Sequence, residues 1–283
     1  MTETSRGVFV SPGSATNATF IAQDAQLDWT WDLAAVVDAV LGSRDPQGIY
    51  DTLHDMRLSM MIPGLMDPTT ITFLKQGINL TGPNTTFSGV QRVSIGGTTY
   101  YLEFANMLIG AGAISLMGAG PWTAGCWMTG ILKQITTTAP TNWTFISPPS
   151  GAIMMSSGAG ALNVTIEDLS TTTNYTPSVR GIVIGFNNGL FPIPQTGQNT
   201  WADVIPTRRG INIRYVVNVE STTGPSLLTI ATTPHQANST IVLNSSHTFT
   251  GSGGLLSTMR MPVRPDQPLI LGLNHLCQSG NLT

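Results

Sequence analysis

The strongest constraint on the fold is a stretch of alternating residues from Gly210 to Thr233. Apolar side chains occupy every second position from 211 to 219, and mostly polar residues fill the positions between them. A period of two is typical of a strand that buries one face. Ser221 to Pro225 supplies turn-forming residues, and a second apolar run covers Leu227 to Ala231. The sequence therefore predicts an antiparallel pair of strands here.

Other strand-like runs cover much of the chain after residue 64. A tight hairpin is predicted within Val90 to Phe104, because Gly96-Gly97 separates two such runs and two glycines suit a two-residue turn. The remaining runs are Thr70 to Leu74, Asn142 to Ile146, Leu162 to Ile166, Val179 to Phe186 with a turn at Asn188-Gly189, Ser239 to Leu243, and Pro268 to Leu273. Short strands separated by Gly, Pro, Asn and Thr favour a sandwich or barrel.

Two short helices are predicted near the N-terminus. The first has an apolar stripe at i, i+3, i+4, i+7 and i+8, which is the spacing of one helical face. The stripe consists of Leu33, Val36, Val37, Val40 and Leu41. Asp45-Pro46 fits the start of a second helix, and its stripe consists of Ile49, Leu53 and Met56.

The predicted fold is mainly β: an antiparallel β-sandwich or jelly roll, with a helical segment at 28–58. We expect a single domain over 1–283. The alternative is a domain break near 136–151, where threonine and proline are frequent. Trp143 and Phe145 lie in that stretch, and aromatic residues of this size favour a strand between turns over a free linker.

The low charge of the chain limits its function. Charged residues make up 10% of the sequence, against roughly a quarter in an average soluble domain. A soluble monomer is normally kept apart from its neighbours by a mixed charged surface, so this composition favours a chain covered by partners. The net charge of -3 argues against a protein that mainly grips nucleic acid. Arg208-Arg209 and Arg260/Arg264 are the near clusters that would allow a local contact.

A long uncharged stretch lies between Glu103 and Lys133. Its six glycines and Pro121 weaken any continuous helix, so we interpret it as two buried strands or as an interface where backbones approach closely. Membrane contact through 105–132 is the less favoured alternative.

No sequence motif indicates catalysis, a cofactor or a metal. The chain lacks GxSxG, P-loop, GxGxxG, HExxH and CxxC patterns. Asp28 and Asp32 flank two tryptophans, and we interpret them as helix caps before an acid/base pair. Asp51, His54 and Asp55 share a predicted helical face, and we interpret them as a solvated polar face before a metal site. We therefore predict that the protein is not an enzyme and needs no cofactor.

The number of cysteines and the N-terminal sequence indicate in which cellular compartment the protein is made. Cys126 and Cys277 are too few for a disulfide scaffold, and their pairing is left open. The start of the chain lacks the basic and apolar regions of a secretory signal, which predicts synthesis in the cytoplasm. We therefore expect the Asn-x-Ser/Thr sequons to be unused. They lie at Asn17, Asn79, Asn84, Asn142, Asn163, Asn174, Asn238, Asn244 and Asn281.

A nearly uncharged β-rich chain with Pro-, Thr- and Gly-rich turns and a glycine-rich middle resembles the jelly-roll coat proteins of small icosahedral viruses. The resemblance implies self-assembly into a capsid, location in the virion, and copies of itself or other capsid subunits as partners. Many such proteins have a basic N-terminal arm that packages the genome. Met1 to Phe20 is not basic, so the resemblance does not extend to genome binding.

Two other functions compete with a shell protein. The first is a receptor- or carbohydrate-binding β-sandwich, as in viral or phage attachment proteins, in which loop tryptophans stack on the ligand. Its candidate residues are Trp29, Trp31, Trp143 and Trp201. The second is a β-sandwich hydrolase that uses Asp28 and Asp32, and we rank it last.

Overall fold

The computed structural model describes separate stretches of the chain, and in its first four strands it describes the backbone. The described residues are 4–12, 19–22, 26–38, 48–62, 71, 74, 75, 77–79, 87–118, 122, 123–141, 162–194, 201–220, 227, 229, 233–244, 246–260 and 269–283.

Most of the described residues form antiparallel strands, as the sequence predicted. The first nine are β1 Thr4–Pro12, β2 Thr19–Ala22, β3 Gln26–Asp38, β4 Gly48–Ile62, β5 Phe87–Ile95, β6 Thr98–Met117, β7 Thr123–Thr136, β8 Asn163–Asp168 and β9 Thr173–Tyr175. The others are β10 Val179–Asn187, β11 Leu190–Pro194, β12 Trp201–Pro206, β13 Gly210–Asn218, β14 His235–Asn244, β15 His247–Ser252, β16 Leu255–Arg260, β17 Ile270–Cys277 and β18 Ser279–Leu282.

The strands form one large sheet system and one small separate sheet. The main path runs β18-β15-β14-β16-β17-β13-β10-β6-β5-β1-β2. β7 pairs with β6 and leads to β4 and β3, while β8 pairs with β14 and leads to β9. β11 and β12 pair only with each other among the described strands. The order departs from the chain order at most steps, so long-range pairing dominates the fold.

The strand predictions at Leu162–Ile166, Val179–Phe186, Ser239–Leu243 and Pro268–Leu273 are confirmed by β8, β10, β14 and β17. The Gly96-Gly97 hairpin is also confirmed, because β5 and β6 pair up to Ile95↔Thr98. Both glycines have positive φ, +57° and +86°, which is the requirement of a type I′ turn. The predicted strand at 142–146 lies outside the described residues.

The predicted helical segment at 28–58 is wrong, because this part of the chain forms β3 and β4. The two strands pair from Gln26↔Met61 to Asp38↔Gly48, with a register shift between Leu33 and Ala35. Valines, isoleucines and tryptophans are frequent here, and these residues favour strands. A bulge also resets the period of two, so an apolar pattern that looks helical can belong to an irregular strand.

The predicted strand at Thr70–Leu74 is also wrong, because here a predicted strand is a helix. The described residues 71, 74, 75, 77 and 78 are helical, and the Asn79 N–H donates to the Lys75 carbonyl at 2.8 Å. Ile71, Leu74 and Ile78 are buried at spacings of three and four, which is the helical period. A short apolar run does not distinguish helix from strand by itself.

The first strand of the hairpin predicted over Gly210–Thr233 is confirmed, and the second strand is wrong. β13 forms as expected, but it pairs with β10 on one side and β17 on the other. Leu227 and Thr229 are helical, and the Thr233 N–H donates to the Thr229 carbonyl at 3.1 Å. Pairing with distant strands outweighs the local turn signal.

The curled sheets enclose one apolar core. Inward residues of the central strands meet inward residues of β8, β14 and β15. Trp122, which precedes β7, is fully buried, and its indole N–H donates to the Leu243 carbonyl of β14 at 3.0 Å. This bond joins the two sides of the core and leaves the opposite face of the central strands outside.

Candidate interaction surface

The outward side of five neighbouring strands, β17-β13-β10-β6-β7, forms a continuous surface that we call the outer face. Register places its residues in cross-strand rows; one row runs Asn274, Arg214, Val183, Ser115 and Thr123. The outer face consists of Ala111, Ala113, Ser115, Met117, Thr123, Gly125, Trp127, Gly181, Val183, Gly185, Asn187, Gly210, Asn212, Arg214, Val216, Gly272, Asn274 and Leu276.

Small residues make the outer face flat. The Asn212 side-chain oxygen lies 2.6 Å from the position that a Cβ on Gly185 would take, and the Met117 sulfur lies 2.8 Å from the corresponding position on Gly181. These side chains therefore lie across the glycines. The two glycines thus make room for side chains of neighbouring strands, which keeps the relief of this surface low.

The outer face has little charge and exposes large apolar groups at its margins. Arg214 is the one charged residue in it. Met117, Trp127 and Leu276 are 68%, 57% and 53% exposed. Together with the low charge, these exposed apolar groups make the outer face a candidate interaction surface.

The hydroxyls in the middle of the outer face bind each other. Ser115 Oγ and Thr123 Oγ1 lie 2.6 Å apart in a hydrogen bond, and the Thr123 hydroxyl also approaches the Ser115 carbonyl at 3.3 Å. Because these polar groups already have partners, covering them costs less than covering unpaired hydroxyls. This pair of hydroxyls can therefore be dehydrated at modest cost.

The size of the outer face matches a protein interface. Five strands and four rows span about 24 by 27 Å, or roughly 650 Å², from ordinary strand and residue spacings. A standard specific interface covers roughly 800 Å² on each partner. The outer face is therefore large enough to form most of one such interface.

A buried serine–histidine pair lies on the inward side. His275 Nε2 donates to the Gly253 carbonyl at 3.0 Å, so Nδ1 accepts from the Ser239 hydroxyl at 2.7 Å. This is the bonding of a nucleophile and base, but both residues are fully buried. A substrate cannot reach them, and the pair instead satisfies polar groups within the core.

Burial sets the ionisation of this cluster. It lowers the pKa of His275, an effect that hydrogen bonds to Gly253 and Ala237 partly oppose. It raises the pKa of the neighbouring Cys277 thiol to about 12. Burial also raises the pKa of Tyr215 well above its ordinary value, which the Ser239 hydroxyl partly offsets. The cluster is therefore neutral at neutral pH.

A second cluster combines Asp168, Ser170 and His235 without forming a catalytic triad. Asp168 Oδ2 and Ser170 Oγ both meet the same histidine nitrogen, Nδ1, at 2.9 and 3.2 Å. A triad needs the acid and the nucleophile on opposite nitrogens. Asp168 also accepts from the Ser170 N–H at 2.8 Å and the Ser170 hydroxyl at 2.6 Å, which fixes the turn after β8.

The hydrogen bonds to Asp168 outweigh its burial. Burial alone raises the pKa of this carboxyl, but bonds from Ser170, Thr171 and His235 lower it to about 2. Asp168 is therefore a charged structural group under the turn that joins β8 to β9. The sequence carries no distinctive signal for either cluster, because their members are far apart along the chain.

The described structure does not bring together the four tryptophans that we proposed for stacking on a ligand. Trp29 and Trp31 lie within β3, opposite Leu58 and Met56. Trp201 lies in β12, opposite Pro194, and Trp143 lies outside the described residues. Sequence reasoning missed Trp127, which is exposed on the outer face.

The two arginine clusters lie at opposite ends of β13. Arg208 is exposed in the turn before Gly210, and burial lowers the pKa of the adjacent Arg209. Arg260 lies opposite Gly272, which pairs with Val216 of β13. Six residues along the strand separate these positions by about 20 Å. Arg264 lies outside the described residues.

The acidic residues singled out in the sequence analysis lie in strands β3 and β4 and not in helices. Asp28 and Asp32 lie inside a strand, so the helix-cap interpretation is wrong, and Asp32 pairs directly with Asp55. The spacing of Asp51, His54 and Asp55 no longer defines one face, because residues alternate in a strand. In the part of the chain that the structure describes, no three His, Cys, Asp or Glu residues cluster as a metal site.

The uncharged stretch from Glu103 to Lys133 forms β6 and β7, which confirms the two predicted strands. None of the helical segments among the described residues has the length and apolar content needed to cross a membrane. Cys126 and Cys277 are both free, and burial raises the pKa of Cys126 to about 12.

No family model matches this chain, and no curated protein matches it. Function is therefore inferred from the outer face itself. Part of that surface was visible in the sequence, because the uncharged stretch supplies β6 and β7. The alternation of Gly181, Val183 and Gly185 between larger residues was the further signal that sequence reasoning missed.

Proposed function

We propose that this protein is a structural subunit that self-assembles into a viral capsid or capsid-like shell. The observation that carries the proposal is the flat, nearly uncharged outer face with exposed apolar residues at its margins. A jelly-roll coat protein would be made in the host cytoplasm and reside in the virion, with copies of itself and other capsid subunits as partners. Its charge content of 10% suits a chain whose surface is covered in this way.

Two outer faces can pack on each other like the layers of a sandwich, about 10 Å apart. A two-fold axis along β10 would place Arg214 over Ser115 of the partner subunit, so that the two arginines avoid each other. Covering the exposed parts of Met117, Trp127 and Leu276 contributes roughly 1 kcal/mol for each side chain. The small residues between them let the layers approach.

A charge placed in the middle of the outer face tests the proposal. Val183→Asp places a carboxylate in the middle of any contact there, and even if it pairs with the neighbouring Arg214, the ion pair must lose its water when the contact forms. Val183→Thr keeps the shape of the side chain and is the matched control. We expect the wild-type protein and the Val183→Thr variant to form large particles at neutral pH by light scattering and negative-stain microscopy. We expect Val183→Asp to remain small, with an unchanged circular dichroism spectrum.

Two results would contradict the proposal. The first is a wild-type protein that stays monomeric at high concentration. The second is a Val183→Asp variant that forms the same particles as the wild type, which would remove the outer face from the contact.

A further inference from the structure

The buried His275 ring joins a strand of the outer face to the opposite side of the core. Its Nε2–H donates to the Gly253 carbonyl at 3.0 Å, and its Nδ1 accepts from the Ser239 hydroxyl at 2.7 Å. His275 lies in β17, Ser239 lies in β14, and Gly253 lies in the turn between β15 and β16. We call these two hydrogen bonds the His275 bridge.

The His275 bridge spans the place where β14 leaves the sheet of the outer face. β16 lies between β14 and β17, and β14 pairs with it at residues 235 and 236. From Ala237 onward β14 pairs with β8 and β15 instead. Ser239 lies in this second part of the strand, so the ring links two sheets at a point where they have separated.

The turn at the other end of the bridge is held in position. The Gly253 N–H donates to the Asn238 side-chain oxygen at 2.8 Å, and the Gln278 N–H donates to the Ser252 carbonyl at 3.1 Å. Gly253 and Gly254 have positive φ, +61° and +100°, which favours glycine at both positions. The Gly253 carbonyl is therefore fixed at the ring, and a change in the ring is transmitted between the sheets.

The groups that face the ring are neutral. Tyr215 faces it from β13, and Cys277 Sγ of its own strand lies 3.5 Å from Nδ1; burial raises the pKa of both side chains. The turn at residues 253 and 254 has no titratable side chain. These neighbours therefore supply no negative charge to balance a protonated ring, which makes a charge there costly.

The nearest described carboxylate lies farther along the same row of residues. His275, Leu256 and His235 are cross-strand neighbours in turn, so the two histidines lie about 10 Å apart. The Asp168 carboxylate from β8 binds His235 Nδ1 at 2.9 Å. Its charge is therefore directed to the outer histidine, with the buried Leu256 side chain between it and His275.

The residues on either side of His275 lie on the outer face. Asn274 pairs with Arg214, and Leu276 pairs with Asn212. Because successive residues of a strand point to opposite faces, a backbone shift at His275 moves both of its outward neighbours. Arg214 is the one ionisable residue of the outer face, and it keeps its charge at all ordinary pH values. A response of this surface to mild acid therefore has to come from a group behind it.

We propose that the His275 bridge is an acid-sensitive latch for association: when Nδ1 takes up a proton, the bond from Ser239 breaks, the β17 margin of the outer face shifts, and assembled copies separate. The proton binds the lone pair that accepts from the Ser239 hydroxyl, so two donors then face each other. This inference rests on the proposed function, because it describes how the contact of the outer face is regulated.

The direction of the effect follows from burial. Burial lowers the pKa of His275 from 6.5, so a form with an opened bridge takes up the proton first as the pH falls. Acid therefore favours the opened form below about pH 6.5, and the closed form is complete above about pH 7. A two-fold contact contains two such bridges, and their effects multiply.

Transfer of assembled protein from pH 7.5 to pH 5.5 tests the latch. We expect the apparent dissociation constant of the wild type, measured by analytical ultracentrifugation, to rise at least about fivefold. His275→Gln keeps an amide that can donate to Gly253 but does not titrate, and its constant should change by less than about twofold. His247→Gln is the matched control, because burial and Lys75 also lower the pKa of His247 but β15 contributes no residue to the outer face. It should respond like the wild type.

Equal responses of the wild type and His275→Gln would overturn the latch and leave the proposed function intact. Wild-type particles that persist unchanged at pH 5.5 would do the same. A wild-type protein that forms no particles at pH 7.5 overturns the proposed function instead.

Hydrogen exchange of the Val183→Asp monomer decides the latch independently of assembly, and also if His275→Gln does not fold. We expect protection factors in β16 and β17 to fall at least about fivefold more than those in β10 between pH 7.5 and pH 5.5. Equal changes in these three strands, or no change, would overturn the latch.

Discussion

The two faces of the central strands have opposite compositions, although the same strands form both, with their residues pointing alternately inward and outward. Inward positions of β10 and β13 carry Ile184, Phe186, Ile213 and Tyr215, all buried. Outward positions of the same strands carry mainly glycine, valine and asparagine. The inward face specifies the fold through close packing. The outward face contributes little to folding and is free to specify association.

Polar groups on the two faces differ in the same way. Inside, Ser239 and His275 depend on each other because water cannot replace either partner. Outside, the hydroxyls of Ser115 and Thr123 bind each other but are only partly buried. Equivalent substitutions on the two faces should therefore have unequal effects on stability. Each is best measured in the Val183→Asp background, so that association does not add to stability.

The largest difference is expected for glycines. In Gly112→Ala, the new Cβ would lie 2.6 Å from the Phe186 ring and 2.9 Å from the Gly125 carbonyl. This inward clash should lower the free energy of unfolding by about 2–3 kcal/mol. In Gly181→Ala, the Met117 sulfur can move aside, and we expect a change under about 0.5 kcal/mol. Urea unfolding followed by tryptophan fluorescence measures both, and equal losses would contradict the comparison.

Adjacent asparagines provide the next test. Asn188→Ala removes two buried hydrogen bonds and leaves the Gly77 and Ile109 carbonyls without these donors, which should cost about 2 kcal/mol. Asn187 is exposed on the outer face, and its side chain accepts from the Gly189 N–H at 2.8 Å. Asn187→Ala should cost about 0.5 kcal/mol, because water replaces the lost acceptor. The same unfolding measurement applies, and a larger loss in Asn187→Ala would reverse the assignment of the two faces.

Sequence reasoning predicted the class of fold and several strands because alternation is local information. It correctly predicted β13 from residues 211–219 and the β5–β6 hairpin from Gly96-Gly97. It failed where pairing partners decide the outcome. The described residues within 28–58 form strands through β3–β4 pairing, and the described residues of the run after Pro225, Leu227 and Thr229, are helical. No local pattern indicates which of two compatible structures a distant strand will favour.

The candidate surface was predictable only in part, for the same reason. The lack of charge between Glu103 and Lys133 is visible in the sequence, and it pointed to buried strands or an interface. The sequence does not show that β10, β13 and β17 lie beside these strands and extend the surface.

Paired serines compare hydrogen bonds on the two faces. Ser239→Ala leaves His275 Nδ1 buried without its donor, and we expect a loss of about 1–2 kcal/mol. Ser115→Ala removes the partly buried bond to Thr123, whose hydroxyl can turn to water, and we expect under about 0.5 kcal/mol. Thermal and urea unfolding of both variants would show the difference. Equal losses would mean that the outer hydroxyl pair is as enclosed as the inner one.

The smallest effect is expected from protonation of His275. Its folded pKa is lowered from 6.5, so the unfolded chain takes up a proton first as the pH falls. Stability is therefore complete above about pH 7 and declines below about pH 6.5 until the folded histidine also protonates. The titratable groups beside it, Tyr215 and Cys277, have raised pKa values and stay neutral throughout this window.

Urea unfolding between pH 7.5 and pH 5 measures this decline. His275→Gln, which keeps a polar side chain, should reduce the slope of the free energy of unfolding against pH. A residual slope remains because burial and Lys75 also lower the pKa of His247. Asp168, with its pKa of about 2, contributes only below about pH 5, where its unfolded form begins to protonate. If His275→Gln leaves this slope unchanged, protonation of His275 does not cause the loss of stability in acid. The inner face would then tolerate a buried charge better than its burial implies.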